Sequence, residues 1–385
     1  MRRRNFDQYF WFNKVLMQSC GIMLLPSKFL FISYFLKVTP FITTWFLLFP
    51  AIYTLCFHSS RFSLDDKVYI ILGYFEVYGF AAAKALVLLI KQHKLVKLVN
   101  EFSEMWTTFS DDDYKYIKVF PKQARYFTNG FTCLIMFLLI SVLTTPLMES
   151  EQIYDVNGTK ELPYRAGVFD YMHNDSRSYL IWYGLQIPAA CFSITHVIAT
   201  DVTYIFFILH ACAYAKHCQY YFTQTIRELE NDDSDVNYVV VKCIKYHQKF
   251  MEQYQITEDV FHFNILMQMI MSLGLICGYS VNILFQEEEL AKYVMHLLAA
   301  VLQLWMYCWP VHMLWNEATK VANAAYDFPW YDWSKYHQSI VAIIITRSQR
   351  SAKFTAGKFV PVTLETFVSV LSTAMSFFTV LRQAI

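Results

Sequence analysis

Seven stretches of this chain stay apolar for long enough to cross a bilayer, which takes about 20 residues of helix. They are Val38–Phe57, Val68–Ile90, Phe127–Met148, Ser178–Ala211, Phe261–Phe285, Tyr293–Trp315 and Phe359–Leu381. The first, third, fifth and sixth carry no Asp, Glu, Lys or Arg. The second contains Glu76 and Lys84, the fourth Asp201, and the seventh Glu365 near its start. The fourth stretch is longer than a membrane requires. Tyr179 to Asp201 already covers roughly 33 Å of helix, which puts Asp201 near the inner boundary and predicts that the helix runs on into the cytoplasm. The pattern therefore predicts an all-α integral membrane protein with seven transmembrane helices.

Charge orients the array. With the N-terminus inside, the segments 1–34, 91–126, 216–260 and 317–358 are cytoplasmic and hold 23 of the 32 Lys and Arg residues, against 7 outside. This is the bias of the positive-inside rule. It predicts a cytoplasmic N-terminus and an extracellular C-terminus. Two Asn-x-Ser/Thr sequons, at Asn157 and Asn174, both fall in the loop 149–177, which the charge count places outside. Such sequons are glycosylated only on the lumenal side, so both agree with the orientation. The orientation is the reverse of a G-protein-coupled receptor. The N-terminal Met-Arg-Arg-Arg leads into mixed polar and aromatic residues rather than a signal peptide, so the first membrane helix is expected to act as the insertion signal.

Composition removes other classes. Residues are 56% hydrophobic and 16% charged, with a net charge of +1, which gives no footprint for nucleic acid. The nine Cys form no metal-ligand or redox spacing. The histidines show no HExxH pattern, and GxSxG and P-loop motifs are missing. No enzyme, metal or cofactor is expected.

The cytoplasmic segments read as helical. The stretch 216–260 is charged and periodic, with Asn231-Asp-Asp-Ser-Asp as a solvated turn between two helices. It fits a helical hairpin or an assembly surface. Trp330–Arg350 is amphipathic, with Ile340, Ile343, Ile344 and Arg347 on one face. It fits a helix packed between subunits or one lying on the membrane. Gly357 and Pro361 then mark a break before the last span.

Two groups of span residues carry candidate chemistry. In the last span Thr366, Ser369, Thr373, Ser376, Val380 and Gln383 recur at spacings that align them along one helix face. Small and polar residues there fit either a tight helix–helix contact or the wall of a water-filled pore shared by several copies of the helix. In a pore, Val380 is an apolar ring that gates by dewetting, with the Gln383 amide beyond it. The second group lies in the outer halves of three spans: Gly73, Tyr74, Glu76, Val77 and Tyr78; Phe137, Ser141 and Thr144; Phe192, Thr195 and His196. They fit helix packing or the wall of a cavity for a small, mostly apolar ligand. Glu76 stands out because an acid inside a span is a functional candidate by default.

The C-terminal third carries a family resemblance. Tyr307-Cys-Trp-Pro, Ala325-Tyr326, Trp330, Arg347-Ser-Gln-Arg, Thr355-Ala-Gly and Ser376-Phe-Phe-Thr-Val-Leu-Arg follow in order, and His217 with Gln219-Tyr-Tyr-Phe fits upstream. On these motifs the chain resembles the insect odorant receptors, specifically the ligand-binding (tuning) subunits. The resemblance implies a heterotetrameric, odorant-gated, non-selective cation channel in the plasma membrane of olfactory sensory neurons. The partner it implies is the family's co-receptor subunit, and the ligand a small volatile organic molecule. It divides the chain into a six-helix ligand-binding region (1–316), a cytoplasmic anchor (317–358) and a pore-lining seventh helix (359–385), with Val380 as the gate and Gln383 beside it. A gustatory-type homotetrameric channel is the alternative, and a membrane transporter a more distant one.

Overall fold

The computed structural model describes residues 6–23, 29–57, 67, 70, 71, 74, 78–148, 176–231, 236–285, 290–350 and 354–384. In chain order the helices are α1 (Phe6–Ser19), α2 (Leu30–Phe57), α3 (Phe80–Ile90), α4 (Gln92–Thr108), α5 (Asp111–Ile117), α6 (Val119–Met148), α7 (Ser176–Asn231), α8 (Val236–Phe285), α9 (Leu290–Tyr326), α10 (Lys335–Arg350) and α11 (Leu364–Ala384). A two-residue antiparallel pair, β1 (Thr355–Ala356) and β2 (Val360–Pro361), separates α10 from α11.

Five of these helices, α2, α6, α7, α8 and α9, are long and apolar enough to cross a membrane. Two shorter apolar helices, Phe80–Ile90 and Leu364–Val380, lie where the second and seventh spans were expected. Apolar runs form helices here because only a helix satisfies its backbone groups without water. The turn at 232–235, the first part of the second span and most of the loop 149–177 lie outside the described residues.

The long helices do not stop at the membrane boundary. At 56 residues, α7 is roughly 84 Å of helix against a hydrocarbon core of roughly 30 Å. It is buried along most of its middle, where α6, α8, α9 and α1 surround it. α8 likewise runs unbroken from the charged segment into the fifth span. The segment 216–260 is thus the two arms of α7 and α8, and the tail of α9 and α10 pack against them through Cys218, Phe222, Cys243, Val321, Phe328 and Ile344.

α1 was not foreseen. Its Phe6 and Phe10 stack on each other, Phe6 meets Phe206 and His210 edge-on, and Phe10 packs against Phe206 at a tilt. These aromatic residues dock the helix on α7. On the same side of α7, His217 lies 3.1 Å from Asp113. Ser110 and Asp113 close a capping box at the start of α5. Burial disfavours the Asp113 carboxylate, but hydrogen bonds from His217 and from the Ser110 amide and hydroxyl outweigh it and hold the group at about 2.

The break at Gly357 and Pro361 is a hairpin. Gly357 has φ +62° and Lys358 φ +71°, the left-handed region that Gly adopts without cost. The Gly357 amide donates to the His262 carbonyl of α8 at 2.9 Å, and the Thr355 hydroxyl donates to Glu258 at 2.7 Å. The base of α11 is therefore tied to α8.

Candidate functional site

Two spans that each carry a lone charge in their described parts bring those charges together. Lys84 of α3 and Asp201 of α7 are each 1% exposed, and Lys84 Nζ lies 2.9 Å from Asp201 Oδ1. Lys84 also donates to Gln268 of α8, whose Nε2 donates to Ser272 Oγ at 2.9 Å. From α9, Tyr307 donates its hydroxyl to Asp201 Oδ1 at 2.5 Å and Gln303 donates Nε2 to Asp201 Oδ2 at 2.6 Å. Gln303 and Tyr307 reach one carboxylate because residues four apart share a helix face. Tyr204 stacks on Tyr307 with ring centroids 4.3 Å apart and donates to its backbone carbonyl at 2.7 Å. Two charges out of water are tolerable only when paired and fully hydrogen-bonded, and this network joins four helices.

Gln303 is also the last α9 residue lining a cavity of about 150 Å³ between α6, α7, α8 and α9, where the described Tyr78 joins the wall. The wall is mainly apolar, with Ile135, Leu138, Val142, Ile194, Met271 and Leu275 among its residues. Its polar groups are few. Along α9, Lys292, His296 and Gln303 lie on the cavity side, and Ala299 and Ala300 leave room above Gln303. His296 donates Nδ1 to the Lys292 carbonyl at 2.8 Å. An apolar enclosure with a few fixed polar groups is the usual form of a small-molecule site.

Of the residues expected around a ligand, Tyr78 lines this cavity, and the buried Tyr74 packs against it with centroids 6.4 Å apart. Ser141 and Thr144 of α6 turn their hydroxyls onto the Leu138 and Ile140 carbonyls. Thr195 donates to Cys191 and the buried His196 to Phe192. None of these four is among the lining residues, although their neighbours Leu138, Val142, Ile194 and Val197 are. Phe137 and Phe192 are exposed on the outer surface of the chain. Gly73, Glu76 and Val77 lie outside the described residues, as do Asn157 and Asn174.

From sequence the acid that stands out is Glu76, whereas the polar network centres on Lys84 and Asp201, with Gln303 beside them. A signal existed. Lys84 is six residues before Ile90, about 9 Å from the inner end of its span, and Asp201 had been placed near the same boundary. Opposite charges at one depth in two spans are candidate partners.

In α11, Phe367, Val370 and Leu371 pack onto the core and Ala374 is buried. The opposite face carries the stripe. Thr366 is half-buried, whereas Ser369, Thr373, Ser376 and Val380 are exposed, Val380 by 62%; Gln383 follows in the final turn. Thr373 and Ser376 hydroxyls bond back to the Ser369 and Ser372 carbonyls at 2.8 and 2.9 Å. Their polarity is thus partly met within the helix, while the face as a whole is turned away from its own chain.

A multi-helix membrane protein with an internal, mainly apolar cavity is the class that these features define. The family model for the 7tm odorant receptors matches residues 75–375, and the chain belongs to that family. Odorant receptor 10 of Aedes albopictus is 24% identical over 329 residues, covering 83% of this chain and 85% of that protein. Odorant receptor 67c of Drosophila melanogaster is 22% identical over 296 residues, 75% of this chain and 72% of the relative. Among solved structures, the insect olfactory receptor OR5 from Machilis hrabei in complex with eugenol superposes with a TM-score of 0.79 at 16% identity, covering 98% of both chains. The fold is thus the seven-helix, all-α fold of these receptors. The chain is a multi-pass membrane protein of a family that binds small odorants and acts as a ligand-gated channel or receptor rather than an enzyme.

Proposed function

We propose that this chain is the odorant-binding subunit of a heteromeric, non-selective cation channel, working with the family's co-receptor in the plasma membrane of olfactory sensory neurons. The observation that carries the reading is the division of α11 into a packed face and an outward polar face. A polar face in a membrane calls for partner helices or water, and copies of α11 around a shared axis supply both. Val380 is then the gate, Gln383 the ring beside it, and Thr366, Ser369, Thr373 and Ser376 the wall. The cavity beside Tyr78 and Gln303 takes the ligand. Odorant binding opens the channel to the extent that the open state binds it more tightly. Segment 317–358 anchors subunits to one another in the cytoplasm, with Ile340, Ile343 and Arg347 of α10 lining a groove against α8. The Lys and Arg bias, together with the sequons at Asn157 and Asn174, supports a cytoplasmic N-terminus and an extracellular, glycosylated loop.

The test is current recording from cells that express this chain with and without a co-receptor, across a volatile panel. Odorant-evoked current only in the pair is the expected result. Current from this chain alone would favour a homotetramer, and silence of the pair would remove the channel reading.

A further inference from the structure

We infer that Gln303 makes the inner end of the cavity an acceptor-only floor, which selects ring-sized apolar ligands carrying a hydroxyl donor over matched carbonyl or hydrocarbon compounds. The inference rests on the reading of the cavity as the ligand site and specifies its chemistry. An amide side chain offers one donor end and one acceptor end. The hydrogen bonds around the amide decide which end points where. Asp201 Oδ2 lies 2.6 Å from Gln303 Nε2, and a flipped amide would bring its oxygen against a carboxylate oxygen. Asp201 also pairs with Lys84 at 2.9 Å and accepts from the Tyr307 hydroxyl at 2.5 Å. The charge pair behind the cavity therefore fixes which end of Gln303 meets the ion and leaves the amide oxygen for the cavity side.

The space above that oxygen suits the inference. Ala299 and Ala300, one turn earlier on α9, keep it clear, and the cavity of about 150 Å³ matches in size one known to accept benzene. The nearby wall is aliphatic, from Leu138, Val197, Met271 and Leu275, so a ligand group pointed at the floor has Gln303 as its principal polar neighbour. A hydroxyl donates to the amide oxygen. A carbonyl placed there opposes it acceptor to acceptor and leaves its own hydration unreplaced. A hydrocarbon neither gains nor opposes, but leaves the amide oxygen dry. Lys292, Tyr293 and His296, the other polar lining residues of α9, lie about two to three turns from Gln303 and act on the far side of the ligand. Tyr279 of α8 and Tyr78 complete the polar lining.

Benzyl alcohol, benzaldehyde and ethylbenzene test this, since they share a ring and a heavy-atom count and differ in the polar group. The channel formed with the co-receptor should respond to benzyl alcohol at about threefold to tenfold lower concentration than to the other two, the range one neutral hydrogen bond supplies. Gln303→Met should bring the three within about twofold of one another. Purified full-length wild-type chain gives a second readout that needs no variant: benzyl alcohol should raise its melting temperature more than equal concentrations of the other two. Benzaldehyde equal to or better than benzyl alcohol, in current or in melting temperature, overturns the inference. So does a Gln303→Met channel that keeps the preference. Current from other volatiles but from none of these three removes the inference alone, whereas silence to every volatile removes the receptor reading beneath it.

Discussion

Two polar features lie within the membrane-spanning helices, and they solve the cost of polarity in opposite ways. Around Asp201, groups from α3, α7, α8 and α9 converge until the charges are paired and buried. Along α11, hydroxyls sit on an exposed face and bond to their own helix. The first cluster is complete within one chain. The second is not covered by the described residues of the chain that carries it. The contrast teaches how to read a membrane subunit: polarity satisfied inside belongs to the subunit's fold and ligand site, and polarity turned outward belongs to the assembly.

The sharpest way to break the comparison is to remove one charge of the inner pair. Lys84→Met leaves Asp201 buried without its cation and should cost about 3–5 kcal/mol, seen as loss of surface expression and of thermal stability in detergent. Adding Asp201→Leu should restore much of that loss, because an uncharged pair carries no desolvation penalty. If the double variant is no better than the single, the pair is not acting as a pair. Next in size is the joint that sets which way α11 faces. A Cβ at Gly357 would lie 2.8 Å from Leu266 Cδ2 and 2.5 Å from Phe359 Cε1, at φ +62°. Gly357→Ala should destabilise by about 1–3 kcal/mol and shift the melting temperature downward.

A third test asks whether the inward rule extends to the contact between α8 and α10. His247 of α8 is buried against Ser348 of α10, Nε2 to Oγ 2.9 Å. Burial, followed by the Arg347 charge, lowers its pKa from 6.5 to about 4. The unfolded chain therefore takes up this proton first, so stability rises with pH across that window. The α8–α10 contact should be complete above about 6.5 and weaken as pH falls toward 4. Asp113, held at about 2, adds little slope there. Hydrogen exchange over α10 at several pH values measures it, and a flat profile would count against a neutral buried His247. The smallest effect on the fold is expected from the outward stripe. Val380→Thr should change stability by less than about 0.5 kcal/mol yet alter gating or permeation of the assembled channel. A large loss of expression with unchanged conduction would reverse the reading of that face.

Much of the fold was legible because a bilayer imposes a length and an apolar content that a linear sequence displays directly. The continuation of α7 past Ala211, the helical arms of 216–260 and the break at Gly357 were also readable from periodicity and backbone chemistry. The sequence puts Lys84 and Asp201, 117 positions apart, at one depth and so makes them candidates, but it does not establish their pairing, since hydropathy says nothing of which helices adjoin. The cavity shows the same limit. Ser141, Thr144, Thr195 and His196 have the composition of pocket residues, but rotation about each helix axis, set by packing, turns them onto their own backbone. Gln303 in the uncharged sixth span gave no sign of its role until a carboxylate stood beside it.

The hairpin at the root of α11 carries a mechanical consequence. It hangs the last helix from α8 at His262 and Glu258, about two to three helical turns before Gln268, which takes part in the charge network. The same rod thus serves as shaft and bracket. Any tilt or slide of α8 that follows from occupancy of the cavity is delivered to the foot of α11 without crossing a flexible joint. A neighbouring subunit would feel such a displacement as a change in the angle of a strut.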